Sequence, residues 1–167
     1  MSIIQRAGIL AYCLSMMCLA PAAWAQDSKA VDDLKNQAQA ALSKGKPEEA
    51  VSILRRAIDM APNRSDLYML RSRARDSSGK FDAAIEDATK YIELEANEPF
   101  GYLNRARIYL SQDKTDKALE DANKAIELAP KDSDGYYRRA DIYSQMGKDA
   151  EAKADEAKAE ELDKASR

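Results

Sequence analysis

The chain has 167 residues, with 26 lysines and arginines against 29 aspartates and glutamates, and it contains no histidine. The small acidic excess disfavours nucleic acid or an anionic membrane as the main partner. Without histidine, the chain lacks the most common general base and the usual imidazole metal ligand. We therefore expect no enzymatic activity, no metal site and no cofactor.

The amino-terminal segment has the features of a secretory signal. Residues 1–6 carry one positive charge, Arg6, and an uncharged apolar run follows over residues 7–20. Small residues at Ala23 and Ala25 then come before polar sequence, an arrangement typical of a cleavage site. The pattern predicts cleavage after Ala25, so that residues 1–25 are a signal peptide. We expect an exported protein, periplasmic or secreted, with no membrane insertion after cleavage.

Two alternatives remain for this segment. Residues 7–25 carry no charge and just reach the length that spans a bilayer, so the segment could stay uncleaved as an anchor. Pro21 and the small residues near Ala25 favour cleavage over a continuous membrane helix. Lipidation of a cysteine is the weakest alternative, because the residues before the two cysteines, Tyr12 and Met17, are large.

Cleavage would leave 142 residues with 25 basic and 29 acidic side chains, a net charge of −4. This length is enough for one domain with an apolar core. Both cysteines, Cys13 and Cys18, would leave with the signal. The mature chain would then contain no thiol that could mispair in an oxidising compartment, and no disulfide framework.

The remaining chain repeats with a period of 34 residues. One position of the repeat holds Leu34, Tyr68, Tyr102 and Tyr136, and another holds Ala50, Ala84, Ala118 and Ala152. A third holds Gly45, Gly79, Asp113 and Gly147, where glycine can end a helix in the left-handed conformation. A small residue follows each large one by four positions, on the same face of a helix. The pattern predicts four helix pairs, in residues 31–64, 65–98, 99–132 and 133–166.

This period, with small residues where helices must meet, resembles the tetratricopeptide (TPR) repeat. The resemblance covers Val31 to Ser166 and implies an all-α fold, a right-handed α-solenoid of four helix-turn-helix units with about eight helices. Residues 26–30 are then a short lead-in, and residues 31–167 are the TPR domain. TPR domains commonly bind other proteins, so we expect a non-catalytic adaptor or scaffold of the bacterial cell envelope.

The last repeat differs from the other three. Three positions that are apolar in the second helix of the earlier repeats hold Lys153, Glu156 and Glu160 in the fourth. A helix with charges there does not need a further helix to pack on it, so residues 149–164 are predicted to form the solvated cap of the array. The alternative is a frayed, partly disordered tail, because short polar helices are marginal without packing.

By resemblance to TPR domains, the first helix of each repeat lines a concave groove. The predicted partner-binding residues in that groove are Met69, Arg73, Leu103, Asn104, Arg107, Tyr137 and Arg138. Arginine can hold a carboxylate with two bonds, and apolar neighbours can hold side chains. We therefore expect a protein or peptide partner with acidic groups or a free C-terminus. Alternatively, the three arginines pair with nearby acids, namely Asp66, Asp76 and Asp141.

Some TPR domains hold a terminal carboxylate with two lysines, two asparagines and one arginine. On that pattern Asn104 and Arg138 match. Met69, Arg73 and Asp134 stand where lysine, asparagine and lysine would be expected, so the clamp is not established. A separate position of the repeat holds Arg71, Arg105 and Arg139, which we expect to pack or to pair between repeats rather than to contact a ligand.

The oligomeric state is the last open question. We expect a monomer or a weak dimer. A self-associating structural component of an envelope complex is the alternative function. In that case the first repeat would supply the interface, because Leu34, Ala41 and Val51 are predicted to lie near an uncapped end of the array.

Overall fold

The computed structural model describes residues 20–166 and the side chains of residues 28–166. Within this range the chain forms eight α-helices and no strand. They are α1 (Ala20–Ser43), α2 (Pro47–Met60), α3 (Ser65–Ser77), α4 (Phe81–Leu94), α5 (Pro99–Ser111), α6 (Thr115–Leu128), α7 (Ser133–Gln145) and α8 (Asp149–Ala165). The helices follow the four predicted pairs, and the all-α fold is confirmed.

The helices pack in the order in which they occur along the chain. The two helices of each pair pack on each other, and each second helix packs on the first helix of the next pair. First helices also touch across repeats, α1 on α3 and α5 on α7. Contacts limited to neighbouring repeats define an α-solenoid, in which the first helices share one face.

The turns inside the pairs have the conformation that the sequence predicts. Gly45, Gly79 and Gly147 have φ angles of 69°, 72° and 71°, and Asp113 has 59°. These residues follow the first helix of each pair and adopt the left-handed region that ends it. Asp113 shows that the third repeat forms the same turn without glycine.

The alanines of the repeat lie where the two helices of a pair meet. Ala50, Ala84 and Ala118 are fully buried and Ala152 is nearly so. Each tyrosine hydroxyl of the repeat then donates to a carbonyl oxygen in the turn before its own helix: Tyr68 to Pro62 at 3.0 Å, Tyr102 to Ala96 at 3.2 Å and Tyr136 to Pro130 at 3.2 Å. The repeated residues therefore fix both the approach of the helices and the turn between repeats.

Three buried ion pairs join the helices inside the second, third and fourth repeats. Each pair is bidentate, with distances of 2.7–2.9 Å: Arg71 to Asp87, Arg105 to Asp121 and Arg139 to Asp155. Arg105 also donates to Thr89 of the preceding repeat at 2.9 Å, and Arg139 likewise to Asn123 at 2.8 Å. These arginines were predicted to pack or to pair between repeats, but their ion pairs lie inside one repeat. Only Arg105 and Arg139 add a hydrogen bond to the preceding repeat.

The fourth repeat ends in a continuous helix. α8 runs to Ala165, and Lys153, Glu156 and Glu160 are exposed on it. One face of α8 is buried through Ala152, Asp155 and Ala159. The cap role of this helix stays a prediction.

The first repeat begins with a longer helix than the others. α1 starts at Ala20, so residues 26–30 and the predicted cleavage point after Ala25 lie inside it. The rest of the predicted signal, residues 1–19, lies outside the described residues, and cleavage stays a prediction. No helix in residues 20–166 is both long and apolar enough to cross a bilayer.

The face of the first repeat that was predicted to be available for self-association is not exposed. Leu34, Ala41 and Val51 are all buried, with 7%, 4% and 7% of their surface exposed. They belong to one apolar cluster together with Leu54 and Leu67, which joins the first repeat to the second. The prediction was wrong because these side chains pack inside the chain.

Candidate partner-binding groove

Three adjoining cavities lie along the first helices. The largest, of about 570 Å³, is lined by residues of α3, α5 and α7. A second, of about 390 Å³, lies between α1 and α3, and a third, of about 260 Å³, is lined by α1, α3, α4 and α5. We call these three cavities together the first-helix groove. Arg73 lines all three of them.

The predicted site residues all lie in this groove. Six of them line the largest cavity, namely Arg73, Leu103, Asn104, Arg107, Tyr137 and Arg138. The seventh, Met69, lines the smallest cavity together with Arg73. The resemblance to TPR domains therefore placed these side chains on one surface, while their role in binding stays a prediction.

Two of the three groove arginines are paired with groove acids. Arg107 Nη1 lies 2.6 Å from Asp76 Oδ2, and Arg138 Nη1 lies 3.0 Å from Asp141 Oδ2. The Nε atom of Arg138 is buried and has no hydrogen-bond partner among the described residues. The alternative prediction was that these arginines pair with acids of neighbouring helices. It is correct for Arg107, whereas Arg138 pairs with an acid of its own helix.

Arg73 is the exception, and the repeat explains why. Arg107, at the same position one repeat later, reaches back to Asp76 of the preceding repeat. The residue that Arg73 would reach in the same way is Leu42, which lines the same cavity and cannot accept a hydrogen bond. Arg73 is exposed, and its guanidinium has no hydrogen-bond or ion-pair partner in residues 28–166.

The side chain of Asn104 forms hydrogen bonds within the protein, although the residue lines the groove. It is only 6% exposed, and its Nδ2 donates to Ser72 Oγ at 3.0 Å. Its Oδ1 accepts from Arg107 Nη2 at 3.3 Å, and Ser72 in turn donates to the carbonyl oxygen of Ala84 at 2.8 Å. This buried chain of bonds connects the second and third repeats, so Asn104 lines the groove with its polar atoms already used.

Tyr137 presents its ring to the groove while its hydroxyl is held from behind. The residue is 38% exposed and lines the largest cavity. Its hydroxyl donates to Asp163 Oδ2 at 3.0 Å, and this bond to a carboxylate raises the pKa of Tyr137 above its ordinary value. The bond fixes the ring, which leaves an apolar face for a partner.

Two aromatic residues of the groove were not among the predicted site residues. Phe100 lines two of the cavities and is 50% exposed, although the sequence analysis did not select it. Tyr91 forms one wall of the smallest cavity from a second helix. A signal for Tyr91 exists, because the same position is alanine in the other three repeats, at Ala57, Ala125 and Ala159.

Gly101 makes room for that tyrosine. A Cβ atom at Gly101 would lie 2.6 Å from Cδ1 of Tyr91, closer than real contacts allow. The absence of a side chain there lets α5 approach α4, with the Tyr91 ring beside Phe100. The aromatic wall of the smallest cavity therefore depends on a glycine one residue away from Phe100.

The amino-terminal end of the groove carries a network of charges between the first two repeats. Asp66 accepts from Lys35 Nζ at 3.0 Å and from Arg64, whose Nη2 lies 2.8 Å away. Arg64 also reaches Asp32 at 3.0 Å. The bond from Arg64 is the main cause that lowers the pKa of Asp66 to about 2, with Lys35 acting in the same direction. These four side chains join α1, the turn between α2 and α3, and α3 itself.

The chemistry available in the groove is that of a binding surface. No group of three or more histidine, cysteine or carboxylate side chains among the described residues is placed to hold a metal ion. What the groove offers is a free guanidinium, two exposed aromatic rings and paired charges. This fold and this groove define a helical repeat protein with a concave surface made by its first helices.

Sequence comparison identifies the repeat. Models of the tetratricopeptide repeat match residues 35–99, 99–132 and 122–154. The chain belongs to the tetratricopeptide repeat family. No curated protein sequence gives a significant match over the chain.

Solved structures share this fold at low sequence identity. A crystal structure of MamA protein has a TM-score of 0.71 at 23% identity, covering 83% of this chain and 76% of that one. A thermophilic TPR protein of Thermus thermophilus has a TM-score of 0.71 at 17% identity, covering 80% and 74%. The first TPR domain of Spaghetti (RPAP3), bound to the HSP90 peptide SRMEEVD, has a TM-score of 0.66 at 22% identity, covering 72% and 95%. At these identities the likeness concerns the fold.

Proposed function

We propose that this protein is a non-catalytic binding scaffold that holds an extended peptide segment of a partner protein in the first-helix groove. An acidic group of the segment pairs with Arg73, and an apolar side chain packs on Phe100. A free carboxyl terminus and an acidic side chain are both able to supply the anion. Peptide binding by a TPR domain of the same fold, that of Spaghetti, supports a peptide as the partner.

The observation that carries the proposal is the state of Arg73. Among the three groove arginines, only Arg73 has no partner in residues 28–166, because Arg107 and Arg138 are paired. Arg73 lies at the meeting point of three cavities, and Phe100, half exposed, lines two of the same cavities. A free cation beside an exposed aromatic ring suits an acidic side chain with an apolar neighbour.

We also propose that the protein acts in the cell envelope. The support is the amino-terminal sequence, with Arg6, the apolar run of residues 7–20 and small residues before position 26. Expression of the full chain in a bacterium, followed by fractionation and amino-terminal sequencing, tests this. We expect an extracytoplasmic product that begins at Gln26, and a cytoplasmic product that retains Met1 would contradict the proposal.

The groove is tested by comparing Arg73→Glu with the matched control Arg56→Glu. Arg56 is an exposed arginine on α2 that lines none of the groove cavities. A partner is first captured by crosslinking in an envelope extract of the source organism, and its binding segment is mapped and synthesised. Both variants must keep the helical circular dichroism of the native chain.

The measurement is the dissociation constant of that synthetic segment by fluorescence polarisation. A hydrogen bond to a charged group contributes about 1.5–3 kcal/mol, so Arg73→Glu should weaken binding by a factor of about ten or more. Arg56→Glu should bind like the native chain. Equal binding by all three proteins would place the partner on another surface and reject the groove.

A further inference from the structure

Six charged side chains line the largest cavity, and two of them are not part of an ion pair. Three arginines and three aspartates line it: Arg73, Arg107, Arg138, Asp76, Asp134 and Asp141. Arg107 with Asp76 and Arg138 with Asp141 form ion pairs. Arg73 is left as a cation, and the carboxylate of Asp134 is left as an anion with no partner in residues 28–166.

Asp134 is unpaired for the same reason as Arg73. In the second repeat, the corresponding residue Asp66 is held by Lys35 of the repeat before it, at 3.0 Å. The residue that corresponds to Lys35 and precedes Asp134 is Leu103, which lines the same cavity and carries no charge. Each unpaired group therefore has a leucine at the repeat position that supplies its counter-charge elsewhere. This residue is Leu42 for Arg73 and Leu103 for Asp134.

The two unpaired charges lie at opposite sides of the cavity. Arg73 is on α3, Asp134 is in the first turn of α7, and α5 lies between these two helices. α5 packs on α7, and packed helices are about 8–10 Å apart. With α3 one repeat further along the array, the two groups are roughly 20 Å apart, or about six residues of extended chain. Between them the cavity is lined by Phe100, Leu103 and Tyr137 together with the paired side chains of Arg107 and Arg138.

We propose that the segment held in the groove is of mixed charge: an acidic side chain pairs with Arg73, and a basic side chain about six residues away pairs with Asp134. An apolar side chain between them packs on Phe100 and Tyr137. The pattern fixes the direction in which the segment lies, because reversing it would put like charges together. This inference rests on the proposed function and narrows its partner to a segment that carries both an acidic and a basic group.

The test uses random peptides of twelve residues displayed on phage and selected on the immobilised protein. The key variant exchanges the two charges, Arg73→Glu with Asp134→Arg, so that net charge is unchanged. Its control is Arg56→Glu with Asp59→Arg, an exchange between two exposed residues of α2 outside the groove. All three proteins must show the same helical circular dichroism before selection.

We expect the native chain and the control to enrich peptides with an acidic and a basic residue about six positions apart, in one fixed order. The exchange variant should enrich the opposite order. A different result would reject the mixed-charge segment and leave the groove function intact. In that result the enriched peptides share an acidic position but no basic one, and the exchange variant no longer selects the acidic position. The same peptides from all three proteins, or no enrichment from any, would reject both.

Discussion

The first repeat and the three later repeats build the same helix pair in two different ways. In the first repeat Leu54 is fully buried in the apolar cluster that joins the first two repeats, at a position where the later repeats have Ala88, Ala122 and Glu156. The later repeats instead hold a buried, bidentate arginine–aspartate pair across their helices. At the two positions of that pair the first repeat has Gln37 and Ile53.

The comparison shows that helix geometry and the means of stabilising it are separable. In the first repeat Ile53 packs against the apolar cluster. In the later repeats the aspartate at that position forms two charge-assisted bonds with an arginine of the other helix. Asp121 also raises the pKa of Arg105 above its ordinary value, mainly through their hydrogen bond, so the arginine stays charged. The first repeat therefore joins its helices without this ion pair, whereas each later repeat contains one.

The largest effect is expected from breaking one pair, with Asp121→Ile. In this variant the Arg105 side chain, which is only 19% exposed, would have lost its carboxylate partner. A buried charge without a counter-charge lowers the free energy of unfolding by about 4 kcal/mol. The free energy of unfolding, from urea denaturation followed by circular dichroism, measures the loss.

The double variant Arg105→Gln with Asp121→Ile installs the residues of the first repeat at both positions. Because an apolar replacement of a complete pair is often neutral, we expect a stability within about 1 kcal/mol of the native chain. If the double variant is no more stable than Asp121→Ile, the Gln and Ile residues of the first repeat cannot replace the arginine–aspartate pair in the third.

The next largest effect is expected from Leu54→Ala, which gives the first repeat the alanine of the third without its ion pair. Removing a fully buried leucine costs about 3 kcal/mol. Since contacts are limited to neighbouring repeats, amide hydrogen exchange should accelerate in α1 to α3 while α6 to α8 keep their protection. Uniform acceleration in all eight helices would contradict this local effect.

The smallest effect concerns the charges that join the first two repeats. The pKa of Asp66 is lowered from 3.8 to about 2, so its ion pairs stabilise the fold above about pH 4 and are lost as pH falls toward 2. Because Asp66 is 41% exposed, we expect at most about 1 kcal/mol from this group. Asp66→Asn should lower the melting temperature at pH 6 and have no effect near pH 2. An equal change of melting temperature at both pH values would show that the ion pairs of Asp66 do not cause it.

Much of the fold was predictable because the repeat is periodic. Positions such as Tyr102 and Ala118 recur every 34 residues, and glycine marks the turns, so helix number and the face that forms the groove follow from the sequence. The buried pairs were less evident, although Asp87, Asp121 and Asp155 also stand 34 residues apart. Charged residues inside a helix are usually solvated, and only the packed structure shows these three to be buried.

By itself, the sequence determined the helix pairs, their turns and the set of side chains that share the concave surface, because these depend on local spacing. Only the tertiary structure decided which charges of that surface are free. Arg73 and Arg107 occupy the same position of the repeat, yet Arg107 meets Asp76 and Arg73 meets Leu42. The difference depends on which side chain the preceding repeat presents across the groove, and that is settled by how neighbouring helices pack.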